Sequence, residues 1–166
     1  MPDKDTLKRV ARDRKEGKSA STQAGEFVRQ EMEHIREGKH GARSTKQAIA
    51  IGLSEARRAG VKLPPPKKGK AKEKTRESAK RALKAGKHKE SHPSRRRSRA
   101  ISSVLRREGH SAASRRSLSR QAHTAASKRS AASRSAAARK AASTKGATGR
   151  STAAKKAART RARHHT

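Results

Sequence analysis

Eight histidines, a few glutamates and three runs of lysine and arginine are the residues of this chain with chemistry to offer. The histidines, His34, His40, His88, His92, His110, His123, His164 and His165, form no HExxH pair, and with no cysteine present a Cys/His zinc pattern is excluded. They read as solvated polar side chains. Glu31, Glu33, Glu37 and Glu55 stand among Arg and Lys on helical stretches, where they balance charge rather than form an acid/base pair. No GxxxxGKS or GxxxxGKT loop is present to cradle a nucleotide. The expectation is a protein with no catalytic residue, no cofactor and no metal, and therefore not an enzyme.

The basic runs carry the stronger signal. Lys67, Lys68, Lys70, Lys72 and Lys74 form one cluster, Arg95, Arg96, Arg97 and Arg99 a second, and Lys155, Lys156, Arg159, Arg161 and Arg163 a third, with Arg115, Arg116, Lys128, Arg129, Arg139 and Lys140 between them. A single such run is usually a solvated face. Three of them, in a chain of 47 Lys+Arg against 13 Asp+Glu and a net charge of +34, require a polyanionic partner, and nucleic acid is the commonest. With no Trp, no Tyr and Phe27 as the single aromatic, the chain lacks the stacking platforms that single-strand binders use. Contact with duplex phosphates, nearly blind to sequence, is the expected mode.

The charge also divides the chain. Residues 1–60 hold 14 basic and 9 acidic side chains, net +5, whereas residues 61–166 hold 33 basic and 4 acidic, net +29. The break falls at Pro64-Pro65-Pro66, and beyond Glu108 there is no acid at all. Only 29% of residues are hydrophobic, too few to fill one core of this length, so most of the chain is expected to be disordered when free. No apolar run is long enough to span a membrane, and the N-terminus MPDKDTLKRV has no signal-peptide core, so a soluble cytoplasmic protein is expected.

Helical order is expected near the N-terminus. Thr6 can cap a helix over Leu7–Glu16 with Leu7, Val10 and Ala11 on one face, stopped by Gly17. Ser21 or Thr22 can open a second, in which Ala24, Phe27, Val28, Glu31, Met32 and Ile35 follow helical spacing to Gly38, with Phe27 and Met32 as core filler. The clearest is Ser44–Gly60, where Ser44 is the cap, Gln47 is placed to close a capping box and Gly60 offers the left-handed exit. Ile49, Gly52, Leu53 and Ala56 line one face of it. The short loop Gly38–Gly41 folds the second helix back on the third, and Phe27, Val28, Ile35, Ile49 and Leu53 are expected to share one apolar cluster.

The stretch QAIAIGLSEARRAG (residues 47–60), entered by Ser44-Thr45 and preceded by EGKHG, resembles a widespread bacterial family of small basic proteins with no assigned function, whose signature reads S-K/R-x-Q-A-I-A-I-A/G-L-S-E-A-R-K/R-A-G. The likeness covers about Phe27 to Gly60, with Gly52 where Ala is usual. It implies a bacterial cytoplasm and a chromatin-like role, and brings no catalytic residues. The tail beyond Gly109 resembles histone H1-like proteins in composition.

The expected fold class is all-α: a small N-terminal helical hairpin of two or three short helices, followed by a largely disordered basic tail. Its parts are a short helix in 1–19, the hairpin in 20–63, a Pro/Lys linker in 64–74, short basic helical segments in 75–110 and a disordered Ala/Ser/Lys/Arg tail in 111–166. The helix over Thr75–Ala85 has an apolar face too thin to bury, and like-charge repulsion keeps the tail unfolded until phosphates relieve it, with Ser127–Ala142 helical when bound. The hairpin is expected to stand without the tail. A weak echo links REGKHGARSTKQA (36–48) to REGHSAASRRSLSRQA (107–122), as internal duplication or as low-complexity drift.

The function these features point to is a sequence-nonspecific, histone-like, nucleoid-associated DNA-binding protein that neutralises phosphates through a cationic tail. The alternative is an RNA- or ribosome-associated basic protein or RNA chaperone. Double-stranded DNA is the expected partner, with RNA as the rival, no membrane, and self-association through the hairpin left open. Phosphorylation within Arg115-Arg116-Ser117 is a third electrostatic route to control.

Overall fold

The computed structural model describes residues 2–87 and 94–164, with seven α-helices and no strand among them. The helices are α1 (Lys4–Lys15), α2 (Ala20–Arg36), α3 (Thr45–Arg58), α4 (Glu73–Ala85), α5 (Arg95–Arg107), α6 (Arg115–Ser127) and α7 (Ala131–His164), with a 3-10 turn at Ser111–Ala113. The chain divides into two compact units, Met1–Gln121 and Ala122–Thr166.

In the first unit, serine hydroxyls start the two central helices. Ser19 accepts the Thr22 amide at 3.3 Å, so α2 begins earlier than Ser21 or Thr22 would allow. Ser44 accepts the Gln47 amide at 3.2 Å. The Gln47 side chain reaches back to the Arg43 amide at 3.0 Å, one residue before the cap, so the expected capping box closes one position early. Gly60 leaves α3 at φ 87°, the left-handed exit that only glycine takes without strain. α1 starts at Asp3 rather than Thr6 and buries Thr6, Val10 and Asp13, leaving Leu7 43% exposed. Arg9 on α1 meets Glu26 on α2 at 2.6 Å.

The expected single cluster is two. Phe27, Ala24, Ala56, Val10 and Val61 form one, with Leu53 partly buried against it. Met32, Ile35, Ala42, Ala48, Ala112 and Ala113 form the other, with Val28, Ile49 and Leu118 at its edge. They divide where α2 and α3 cross. A Cβ on Gly52 would stand 2.7 Å from Val28 Cα and 3.0 Å from the Phe27 carbonyl, so the helices touch backbone to backbone there. The loss of helix propensity at Gly52, roughly 1 kcal/mol, is offset by that close approach.

Two further pieces join this core. Ala79 and Ala82 of α4 are buried against α3, so the face that looked too thin is used, small side chains sufficing where a helix comes close. Arg57, itself buried, donates to the carbonyls of Leu53, Leu63 and Pro64 and so ties the start of the proline segment to α3.

More consequential is residues 105–118, which dock on the α2–α3 loop. The Gly41 amide donates to the Leu105 carbonyl at 2.8 Å and the Ala42 amide to the Gly109 carbonyl at 3.1 Å. Thr45 Oγ1 donates to the Ala112 carbonyl at 2.7 Å and Arg36 Nε to the Ala113 carbonyl at 2.9 Å. The two echoing stretches thus pack on each other, and each leads into a helix through a serine cap, since Ser114 accepts the Ser117 amide at 3.2 Å as Ser44 accepts that of Gln47. Gly41 is essential to the fit, because a Cβ there would collide with the Glu108 carbonyl. Gly41→Ala is expected to cost about 1–3 kcal/mol and to speed hydrogen exchange at the Ala42 amide while the Val61 amide, in the other cluster, keeps its protection. Unchanged exchange at Ala42 would count against the docking.

The disordered tail is not what forms. Residues 131–164 are helical, interrupted at Gly146 with φ 66° and ψ 177°. Thirteen of these 34 residues are alanine, the strongest helix former. The expected repulsion is small because of spacing: Arg134, Arg139, Lys145, Arg150 and Lys155 recur five or six apart, so between Arg134 and Lys156 no two basic side chains stand three or four residues apart. Ser130 caps the start through the Ser133 amide at 3.2 Å, and Arg150 reaches across the break to the Ala142 carbonyl at 2.8 Å. Residues 111–121, also expected to be disordered, belong to the first unit.

Candidate nucleic-acid interface

A phosphate-binding surface needs exposed donors and few competing carboxylates. Lys67, Lys68, Lys70, Lys72 and Lys74, between α3 and the first turn of α4, are all exposed. So are Arg95, Arg96, Arg97 and Arg99 at the start of α5, Arg115 and Arg116 at the start of α6, and Lys128 and Arg129 just beyond the Ala122 boundary. Arg139, Lys140, Lys155, Lys156, Arg159, Arg161 and Arg163 are exposed along α7. They lie on the segment before α4, on α4, α5, α6 and α7, and on the link between α6 and α7.

On α5 the pattern is a stripe. Arg95, Arg99, Ser102 and Arg106 fall at i, i+4, i+7 and i+11 and so share one face. Around it Ser98, Arg99, Ser102, Ser103, Arg106 and Arg107 line a shallow groove. Ile101 and Val104 are 55% and 57% exposed on the same helix. The first turn of α5 carries arginines and no acid, and Ser94 makes no side-chain cap bond, so the positive end of the helix dipole is reinforced rather than neutralised. An oxyanion is the group that relieves that arrangement.

On α7 the pattern is a ring. A five-residue step turns about 140° around a helix axis, so successive basic side chains face different directions. A second shallow groove there is lined by Thr152, Lys155, Lys156, Arg159, Thr160 and Arg163. Both grooves pair cationic heads with hydroxyls, the side chains that most often contact phosphate oxygens. Phe27, the lone aromatic, is wholly buried and offers no stacking face.

A separate polar cluster sits at the end of α2, where sequence reasoning expected solvated histidines and a charge-balancing glutamate. His34 and His40 are mostly buried, and Glu31 is 2% exposed. Glu31 Oε2 lies 3.6 Å from His40 Nε2, and Glu31 Oε1 has no hydrogen-bond partner. Asp3 Oδ2 lies 3.1 Å from His34 Nε2, and the two imidazoles meet edge to face with centroids 6.2 Å apart. Burial pushes the Glu31 carboxyl above the usual carboxylate range, aided by Glu55 and opposed by His40 and His34. The available signal was Glu31-x-x-His34, one helical turn apart; the return of His40 depends on the loop. His88, His92 and His165 lie outside the described residues.

Residues 3–68 match a family of unknown function, DUF6496, which spans α1 to α3 and the first lysines of the following segment. No curated protein and no solved structure matches the chain. No helix among the described residues is long and apolar enough to cross a membrane.

Proposed function

We propose that the protein binds nucleic acid, duplex DNA first, without reading its sequence, as a histone-like, nucleoid-associated protein of the bacterial cytoplasm. The observation that carries this reading is α7, with ten Lys and Arg on all sides of a helix in a region free of carboxylate side chains. Gly146 divides it into two helical runs, 131–145 and 147–164, of about 22 Å and about 27 Å at 1.5 Å per residue, with roughly one cation per 5 Å along them. A duplex carries one phosphate charge per roughly 1.7 Å of axis. A helix charged all round cannot turn every cation to one duplex, which favours holding two duplexes together. The α5 stripe adds a second phosphate-binding face, and the lack of an exposed aromatic favours backbone contact over base stacking.

Duplexes of unrelated sequence and equal length are expected to compete within about a factor of ten. A thousandfold preference for one sequence would overturn the reading. Recovery of crosslinked nucleic acid from cells, with nuclease controls, is expected to return chiefly DNA; predominant ribosomal RNA would move the assignment to an RNA- or ribosome-associated protein.

A further inference from the structure

We propose that Glu31, His34 and His40 form a binding site for a divalent transition-metal ion, zinc by the character of its donors, which ties the α2–α3 loop to α2. One carboxylate oxygen and one ring nitrogen from each histidine lie within 4.8 Å of one another. Two donors each about 2.1 Å from a tetrahedral ion stand about 3.4 Å apart. The Glu31 Oε2 to His40 Nε2 separation of 3.6 Å is close to that edge.

The surroundings orient the donors. His40 Nδ1 lies 3.2 Å from the Gly41 carbonyl, so Nδ1–H donates there and Nε2 is the ring nitrogen turned to the Glu31 carboxylate. With His40 neutral, an Nε2 lone pair stands opposite a carboxylate oxygen, and a metal ion can bridge the two donors in place of a proton on Nε2. Asp3 on His34 Nε2 is the carboxylate–histidine partner that commonly holds a metal-bound imidazole in place. An independent observation is that Glu31 Oε1 is buried without a partner, an arrangement that protein alone rarely leaves standing. Two imidazoles and a carboxylate suit zinc, and cobalt as its spectroscopic substitute, better than calcium or magnesium, which prefer all-oxygen sites. Because Gly41 and Ala42 receive the 105–109 segment, an ion that fixes His40 also steadies the surface on which that segment docks.

The test uses the full chain carrying His164→Ala and His165→Ala, which removes the terminal histidine pair as a competing site. Titration with Zn2+ alone and with Co2+ alone is expected to show one ion per chain at micromolar concentration. An excess of about 100-fold over Kd is expected to raise Tm by on the order of 10 °C. In that background Glu31→Gln and His40→Ala are each expected to weaken binding by roughly 100-fold or more, and Asp3→Asn, acting through His34, by about 10-fold. Glu31→Gln keeps the side chain's size, so a metal-free protein of unchanged helicity and undiminished Tm, with the zinc-induced rise lost, separates a ligand from a packing residue. Absence of a bound equivalent at micromolar metal, or affinity unchanged in both Glu31→Gln and His40→Ala, overturns the proposal.

Discussion

Removal of residues 122–166 is expected to flatten the slope of log K against log salt for duplex DNA by about 5 units. The segment carries 12 Lys+Arg and no acid; if half of them engage phosphates, each releases close to 0.9 of a counterion. The position of the cut matters. The acid-free tail begins at Gly109, but a cut there would take away Ala112, Ala113 and Leu118 and orphan Thr45 and Arg36, so the hairpin cannot be expected to stand without it. A cut after Gln121 follows the division between the compact units. The same truncation is expected to abolish condensation of long DNA, since bridging needs cations on more than one side of a helix. Should the 1–121 chain keep the full slope and still condense DNA, α7 is not the principal arm, and the binding surface lies on α4, α5 and the lysines before them.

What could be read from residue order was whatever local chemistry determines. Ser44 and Gly60 bracket α3 because a hydroxyl and a left-handed glycine act on their own neighbourhoods. The docking of 105–118 carried no comparable signal. Ala112 and Ala113 are small, lie among serines and show no apolar period, and their hold on the hairpin runs through backbone carbonyls that any residue possesses. α7 departs from the expected disorder for a different reason, since repulsion depends on spacing and composition counts only total charge; steps of five or six residues take most cations out of each other's reach. Of the candidate sites, exposure of the basic residues followed directly from their charge. The Glu31, His34 and His40 cluster did not, because three polar residues become neighbours only after Gly38, at φ 74°, turns the chain back.

Phe27→Ala is expected to be the most damaging single truncation of a side chain in the first unit, at about 3–5 kcal/mol. Phe27 is wholly buried and is the largest side chain of a cluster whose other buried members are Val10, Ala24, Ala56 and Val61, so its removal leaves a cavity that these small side chains fill poorly. Leu53, which first seemed an equal partner in a single shared core, is only partly buried against that cluster, and Leu53→Ala is expected to cost about 1–2 kcal/mol. The two clusters also give the loss a direction. Val10 belongs to α1 and Val61 to the exit of α3, so their amides are expected to lose protection first, whereas the Ala42 amide, paired with Gly109 beside the other cluster, is affected later. Urea unfolding of the full chain followed by hydrogen exchange at Val61 and Ala42 reads both effects, without interference from the helical signal of α7. If Phe27→Ala costs no more than Leu53→Ala, the aromatic ring is not the keystone of this cluster and the α2–α3 backbone contact at Gly52 holds the hairpin instead.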